Sequence, residues 1–323
     1  MLPLVLLTHP LPAEWLQSLE GRVRLIVGPE GTTGFPEALL KDLPEAEGLL
    51  TLLIDRVDGA LLERAPRLRV VSNMAVGVDN IDLRACQERG IAVGNTPGVL
   101  TEATADLTLA LILSAARRLP EAAADARAGR WKTWSPTGWL GMDLNGATLG
   151  IVGMGKIGQA VARRAAAFGM RLLYTSPHAR PEVEEALGAQ RVPLEQLLEA
   201  SDVVSLHCPL TPQTRGLINE AALRRMKPRA LLVNVARGPV VVTEALVRAL
   251  QEGWIGGAAL DVTDPEPLPP DHPLYQFPNC LIAPHIGSAT WGTRRRMAEM
   301  ACANLLAGLE GRPLPYAVQG TNL

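Results

Sequence analysis

Cysteine, histidine and aromatic side chains are scarce in this chain. The four cysteines, Cys86, Cys208, Cys280 and Cys302, stand far apart with no Cys-x-x-Cys pair. That spacing argues against a disulfide framework or a zinc site and for a reduced, cytoplasmic compartment. The five histidines form no cluster with acidic residues at metal-ligand spacing, so no metal is expected. A surplus of either charge is also missing: a net charge of -2 offers no broad attraction to nucleic acid or to an anionic membrane. No apolar run reaches the length of a membrane span. The apolar opening, Met1 to Leu7, lacks a basic flank and is followed by Pro10 and Pro12, so it reads as a first strand rather than a signal peptide.

What the chain does have is alternation. Its 323 residues suit two domains of about 150 residues each. In the first hundred residues the pattern predicts strands over Leu4–Leu7, Val23–Val27, Leu49–Ile54, Leu68–Ser72 and Ile91–Val93, and helices over Pro12–Glu20, Gly59–Arg64 and Ile81–Glu88. Helices over Leu100–Leu119 and Pro120–Ala128 follow. A second series then predicts strands at Arg171–Thr175, Val203–His207, Ala230–Val235, Gly257–Leu260 and Cys280–Ala283, with helices at Pro181–Leu187, Glu220–Met226 and Thr243–Glu252. Two α/β units with parallel sheets of Rossmann or flavodoxin-like type are therefore expected. The last helix, Thr290–Leu309, is expected to pack back on the first unit. The division is accordingly 1–98 plus 290–323 for a discontinuous substrate domain and 99–289 for a dinucleotide-binding domain. Hinges fall near Asn95–Thr104 and Ala283–Thr290, and the active site in the cleft between the domains.

The stretch Gly153-Met154-Gly155-Lys156-Ile157-Gly158 follows the apolar run Thr148–Val152 and opens a segment of helical periodicity ending at Gly169. Strand, glycine turn and helix in that order suit a dinucleotide. The first glycine permits the bend, the second admits the pyrophosphate and the third allows close packing, with helix amides facing the anion. Ligands of open parallel sheets bind beyond the carboxyl ends of the strands. Three predicted strand ends carry chemistry: Arg237, after Val235 and Ala236; Asp261 followed by Glu266; and His285, followed by Gly287 and Ser288. A guanidinium can clamp a carboxylate and polarise an adjacent carbonyl. An imidazolium can protonate a ketone oxygen, and a neighbouring carboxylate stabilises its charged form. The plainer alternatives are an Arg237–Asp261 structural ion pair, a solvated Glu266 and a packing role for His207.

The segments GMGKIG, VNVARG (Val233–Gly238), DVTDPEP (Asp261–Pro267) and PHIGS (Pro284–Ser288), in this order, resemble the D-isomer-specific 2-hydroxyacid dehydrogenases over nearly the whole chain. The resemblance implies that Arg237 binds substrate, that His285 is the acid/base and that Glu266 pairs with it. It implies that the amides of Val76 and Gly77 hold a carboxylate, with Ser288 nearby, and that Thr101 lies near the nicotinamide. Gly153, Gly155, Lys156, Ile157, Gly158, Cys208, Pro209, Thr214, Val235, Ala236, Asp261, His285 and Gly287 would then line the cofactor. Arg117–Ala122, the tryptophan-bearing loop Trp131–Gly141 and Leu206–Asn219 look like those of glyoxylate/hydroxypyruvate reductases. In such enzymes a loop aromatic, here Trp139, reaches a homodimer partner's site. The chain's end soon after its last helix favours a small, unphosphorylated 2-oxo acid. A dinucleotide-sensing corepressor and a dehydrogenase of different chemistry are the competing readings; Glu266 speaks against formate oxidation, for which relatives carry glutamine.

NAD-specific sites place an acid after the second strand, and here that position leads into Ser176-Pro177-His178-Ala179-Arg180. With no acid to repel a 2′-phosphate, and with Ser176 and Arg180 or His178 to meet it, NADP(H) is favoured and NAD(H) is the alternative. Pro177 stands where similar NADPH-using reductases often carry arginine.

Overall fold

The computed structural model describes residues 1–318. The chain divides into two compact units, one made of Met1–Leu100 together with the described residues from Ala289 to Val318, the other of Thr101–Ser288. In the first unit, strands β1 (Leu4–Leu7), β2 (Arg24–Val27), β3 (Gly48–Thr51), β4 (Val70–Asn73) and β5 (Ala92–Gly94) are joined with short helices α1 (Gly59–Glu63) and α2 (Leu83–Glu88). The sheet is parallel throughout in the order β2-β1-β3-β4-β5, the flavodoxin-like arrangement. Every residue of β1, β3, β4 and β5 is buried, as apolar runs covered on both faces must be. Asp58 and Asp82 start α1 and α2 by accepting from the amides of Leu61 and Ala85.

Two local expectations fail here for visible reasons. The helix expected over Pro12–Glu20 is two 3-10 turns, Ala13–Trp15 and Gln17–Leu19, because Leu16 between them leaves helical geometry at φ -104°, ψ 4°. Trp15 and Leu19 are buried all the same, so the apolar spacing reported the buried face and not the helix type. The strand expected to run to Ile54 stops at Thr51, since the Asp55 carboxylate takes the Leu52 amide at 2.7 Å and turns the chain.

The second unit runs through α3 (Thr101–Ala116), α4 (Leu119–Arg127), β6 (Thr148–Val152), α5 (Lys156–Ala167), β7 (Arg171–Thr175), α6 (Pro181–Leu187), β8 (Gln190–Arg191) and α7 (Leu194–Ala200). It continues with β9 (Val203–Leu206), α8 (Glu220–Arg225), β10 (Leu231–Asn234), α9 (Thr243–Gln251), β11 (Gly257–Leu260) and β12 (Cys280–Ile282). Its parallel sheet has the order β12-β11-β10-β9-β6-β7-β8, which reverses direction between β6 and β9. That switch point is where an open α/β sheet leaves a crevice. The sequence reading missed β8, a two-residue strand too short to show a period, and α7, although Leu194, Leu197 and Leu198 stand at helical spacing.

Helix α10 (Trp291–Leu309) belongs to the first unit and packs on β3 and β4. Ala298, Ala301, Cys302 and Leu305 are fully buried there. Approach is so close that a Cβ on Gly308 would sit 2.6 Å from Val70. Truncating Leu305 to alanine in such a seam costs about 2–5 kcal/mol. Among the described residues no helix is long and apolar enough to cross a membrane.

Candidate active site

The glycine turn sits at the switch point between β6 and β9. Gly153 has φ +99°, and a Cβ there would lie 2.7 Å from the Cys208 amide nitrogen and 2.8 Å from the His207 carbonyl carbon. A Cβ on Gly158 would fall 2.2 Å from the Gly153 oxygen. The protein itself demands glycine at these two places. Gly155 differs: it caps α5, and a Cβ there would meet nothing within 4 Å. Open space at the second glycine, beside the α5 amides of Lys156, Ile157 and Gly158 that have no carbonyl one turn earlier, is a cradle that fits a pyrophosphate.

Neighbouring side chains complete that region without ionising. Thr214 closes the turn after β9, its hydroxyl donating to the Pro209 oxygen at 2.6 Å and accepting from the Thr211 amide at 2.8 Å. Burial pushes the Cys208 thiol up to about 11, which excludes a thiolate nucleophile at neutral pH. Burial likewise pushes the His207 imidazole down to about 3. Its Nε2 lies 2.8 Å from the Ser205 hydroxyl, and its buried Nδ1 has no partner among the described residues.

The loop leaving β7 holds no acidic side chain from Ser176 to Arg180. The Ser176 hydroxyl, expected to face a ligand, donates instead to the His178 carbonyl at 2.5 Å. Arg180 turns toward the glycine loop: its Nε donates to the Met154 oxygen at 3.1 Å, and its amide donates to the Tyr174 hydroxyl at 2.7 Å.

Strands β10, β11 and β12 are neighbours, so the residues after them hang from adjacent ends. After β12, His285 has φ +52°, a left-handed conformation unusual for a residue with a Cβ. Its Nδ1 is 2.5 Å from Glu266 Oε1, and Glu266 Oε2 accepts from the Thr263 amide at 3.3 Å. An ionised carboxylate only accepts, so the hydrogen of this contact is carried by His285 Nδ1.

The buried Asp261, at the end of β11, accepts from the amides of Ile286 at 2.7 Å and Gly287 at 2.8 Å. Burial raises its carboxyl above the usual range, against the pull of these amides and of His285. The Thr104 hydroxyl of α3 donates to the Gly287 oxygen at 3.2 Å. Ser288 follows, half-buried, and Thr101 is buried as the first residue of α3.

After β10, the buried Asn234 holds the turn that presents Arg237. Its side-chain oxygen accepts from the Ala236 amide at 3.0 Å and its Nδ2 donates to the Arg237 oxygen at 2.9 Å. Arg237 Nη1 itself donates to the Ala236 oxygen at 2.9 Å, and Val235 and Ala236 are buried. Sequence reasoning passed over Asn234 and Thr104. Their only signal was a polar side chain in an apolar run.

In the first unit, Val76 and Gly77 follow β4. The Asn95 side chain donates to the Val76 oxygen at 2.8 Å and that of Asn73 to the Gly77 oxygen at 3.0 Å, so the carbonyls are tied while the two amides donate to no protein group among the described residues. Trp139 lies in an exposed loop with φ +54° and packs on its own Arg118, whose guanidinium carbon is 5.1 Å from the ring centre. Trp131 and Trp134 are the more exposed rings, at 72% and 79%.

The profile of the D-isomer specific 2-hydroxyacid dehydrogenase NAD binding domain matches residues 109–287. A glyoxylate reductase of Korarchaeum cryptofilum is 49% identical over 319 residues, 98% of this chain and 96% of that protein. A crystal structure of a Thermus thermophilus protein superposes with a TM-score of 0.91 at 54% identity, covering 98% of this chain and 99% of the other. An NADPH-dependent glyoxylate/hydroxypyruvate reductase of Sinorhizobium meliloti, crystallised with NADP and malonate, gives 0.87 at 33% identity over 99% and 98% of the two chains. With a dinucleotide cradle at its switch point and likeness over its whole length, the chain belongs to the D-isomer specific 2-hydroxyacid dehydrogenases and is an NAD(P)-dependent enzyme.

Proposed function

We propose that this enzyme reduces glyoxylate or hydroxypyruvate with NADPH, giving glycolate or D-glycerate, and that His285 is its acid/base. The carrying observation is the Glu266–His285 pair, 2.5 Å apart on a strand end next but one to that of Arg237. Support for the substrates comes from the relatives, which include glyoxylate reductases and an NADPH-dependent glyoxylate/hydroxypyruvate reductase.

When bound, the nicotinamide dinucleotide supplies the hydride that reaches the carbonyl carbon. His285 donates its Nε2 proton to the carbonyl oxygen, which becomes the hydroxyl, while Glu266 holds the imidazolium that began the step. Arg237 pairs with the substrate carboxylate and draws electron density from the carbonyl. The amides of Val76 and Gly77 take the remaining carboxylate lone pairs as a backbone anion site. In this reading the second unit binds the dinucleotide and the first unit the substrate carboxylate, and the enzyme works in the cytoplasm. Exposed Leu119, Trp131, Trp134 and Leu140 support a homodimer, for a single chain would leave these apolar side chains in water.

Initial rates with glyoxylate and hydroxypyruvate, each with NADPH and with NADH, test the assignment. His285→Ala should lose roughly 10²–10⁴-fold in kcat, the span of general acid catalysis. An undiminished rate in that variant would remove His285 from the reaction.

A further inference from the structure

Discrimination between NADP(H) and NAD(H) requires a group at the end of the second strand of the nucleotide-binding sheet, an acid for a free ribose hydroxyl or a cation for a 2′-phosphate. In this chain that strand is β7, and the loop leaving it offers less than its composition suggests. The Ser176 hydroxyl is spent on His178, Pro177 has no donor, and the Arg180 Nε is bonded to the Met154 oxygen, which draws that guanidinium toward the glycine loop.

A second cation reaches the same loop from outside it. Arg191 lies on edge strand β8, paired in register with Tyr174 of β7. Its side chain runs forward past Thr175, and the guanidinium binds the loop backbone. Nε and Nη2 donate to the Ser176 oxygen at 3.1 and 2.9 Å, and Nη2 donates to the Pro177 oxygen at 2.9 Å. Three of the five N–H bonds thus fix the group in place. The two on Nη1 have no acceptor among the described residues, and the residue is exposed. Glu184 of α6 accepts from the hydroxyl of Tyr174, the residue paired with Arg191, at 2.5 Å.

We propose that Arg191 is the residue that reads the 2′-phosphate of NADP(H), a cation brought by β8 to the carbonyls of Ser176 and Pro177. The inference rests on the reading that the enzyme uses NADPH, and it names the group responsible. A guanidinium anchored by two carbonyls loses little freedom when an anion arrives, and it offers its outer edge to phosphate oxygens. A free ribose hydroxyl gains nothing comparable from it.

The test is direct binding without turnover: titration of the protein with NADPH and NADH, followed by calorimetry or by tryptophan fluorescence, for the wild type and for Arg191→Gln and Arg191→Lys. Wild-type protein should bind NADPH at least about tenfold more tightly than NADH, the scale of one charge-assisted contact. Arg191→Gln should weaken NADPH about 10- to 100-fold and leave NADH within twofold. Arg191→Lys, with charge but no fork, should fall between. If the wild type prefers NADPH and both variants keep that preference, or if both cofactors weaken alike, Arg191 is not the reader and the NADPH reading stands without it. If the wild type binds NADH as well as NADPH or better, the NADPH reading itself fails. Thermal unfolding of the variants guards against loss of fold, and Arg191→Lys keeps a donor for the Ser176 carbonyl.

Discussion

The backbone of His285 is fastened to Asp261: the His285 amide donates to the Asp261 carbonyl at 2.9 Å, and the Asp261 carboxylate accepts from the next two amides. Together with a second bond from the same amide to the Ala283 carbonyl at 3.1 Å, these contacts hold a non-glycine residue at φ +52°. Asp261→Asn keeps one acceptor and turns an N–H₂ toward an amide that needs one. A buried amide left unpaired costs about 1–3 kcal/mol. If that cost is met by moving His285, kcat should fall roughly 5- to 150-fold. Steady-state kinetics on variant protein with an unchanged circular dichroism spectrum checks this; an unchanged kcat would show that His285 is held by other means.

Glu266→Gln replaces an obligate acceptor with a group that both donates and accepts. The hydrogen on His285 Nδ1 is then no longer enforced, and the imidazolium loses its counter-charge. An activity loss of about 10²-fold is expected in kcat, with dissociation constants for the dinucleotide unchanged in a binding titration. A variant that loses cofactor affinity and keeps kcat would place Glu266 at the cofactor instead.

Two alanine substitutions two positions apart should have opposite signatures. Gly153→Ala forces a Cβ into the Cys208 backbone at positive φ and should lower the unfolding midpoint. Gly155→Ala meets no protein atom, so stability should hold or rise slightly, while dinucleotide affinity falls because the methyl occupies the ligand's approach. Differential scanning calorimetry with and without NADPH separates the two. Equal destabilisation by both would contradict the open cradle.

Burial depresses the His207 imidazole from 6.5 to about 3. The unfolded chain therefore binds a proton more readily than the folded one between these values. Stability attached to neutral His207 is fully present above about pH 6.5 and is lost as pH falls toward 3, by about 1.4 kcal/mol per pH unit. His207→Gln should reduce the acid sensitivity of urea unfolding measured at pH 7 and pH 5. An identical pH dependence in both proteins would mean that the ring is hydrated in solution.

The elements legible in the sequence are those with a period or a forced turn. The glycine turn could be read because strand, turn and helix follow one another directly in the chain and Gly158 is demanded by the Gly153 oxygen within that unit, and the end of β12 because His285 follows an apolar run. The 3-10 turns around Leu16 could not, since apolar spacing reports which residues are buried and says little about helix type. Arg191 was hidden for another reason. Its contact with Ser176 and Pro177 depends on the pairing of a two-residue edge strand, and nothing local distinguishes it from other exposed arginines. Thr104 was hidden similarly, since it acts through a side-chain bond to the Gly287 backbone that only the fold brings near, while Asn234 ties the backbone two and three residues ahead by a turn that no period announces.

Helix α10 covers the face of the first unit's sheet formed by Val5, Leu50 and Val70, yet it is made some two hundred residues after the last strand of that sheet. On a ribosome the earliest strands must wait, apolar face bare, while the continuous second unit, Thr101–Ser288, emerges with every strand of its own already present. The part of the protein synthesised first is thus the last able to finish folding. For that interval Leu7, Leu50 and Val70 are the surface a chaperone would hold.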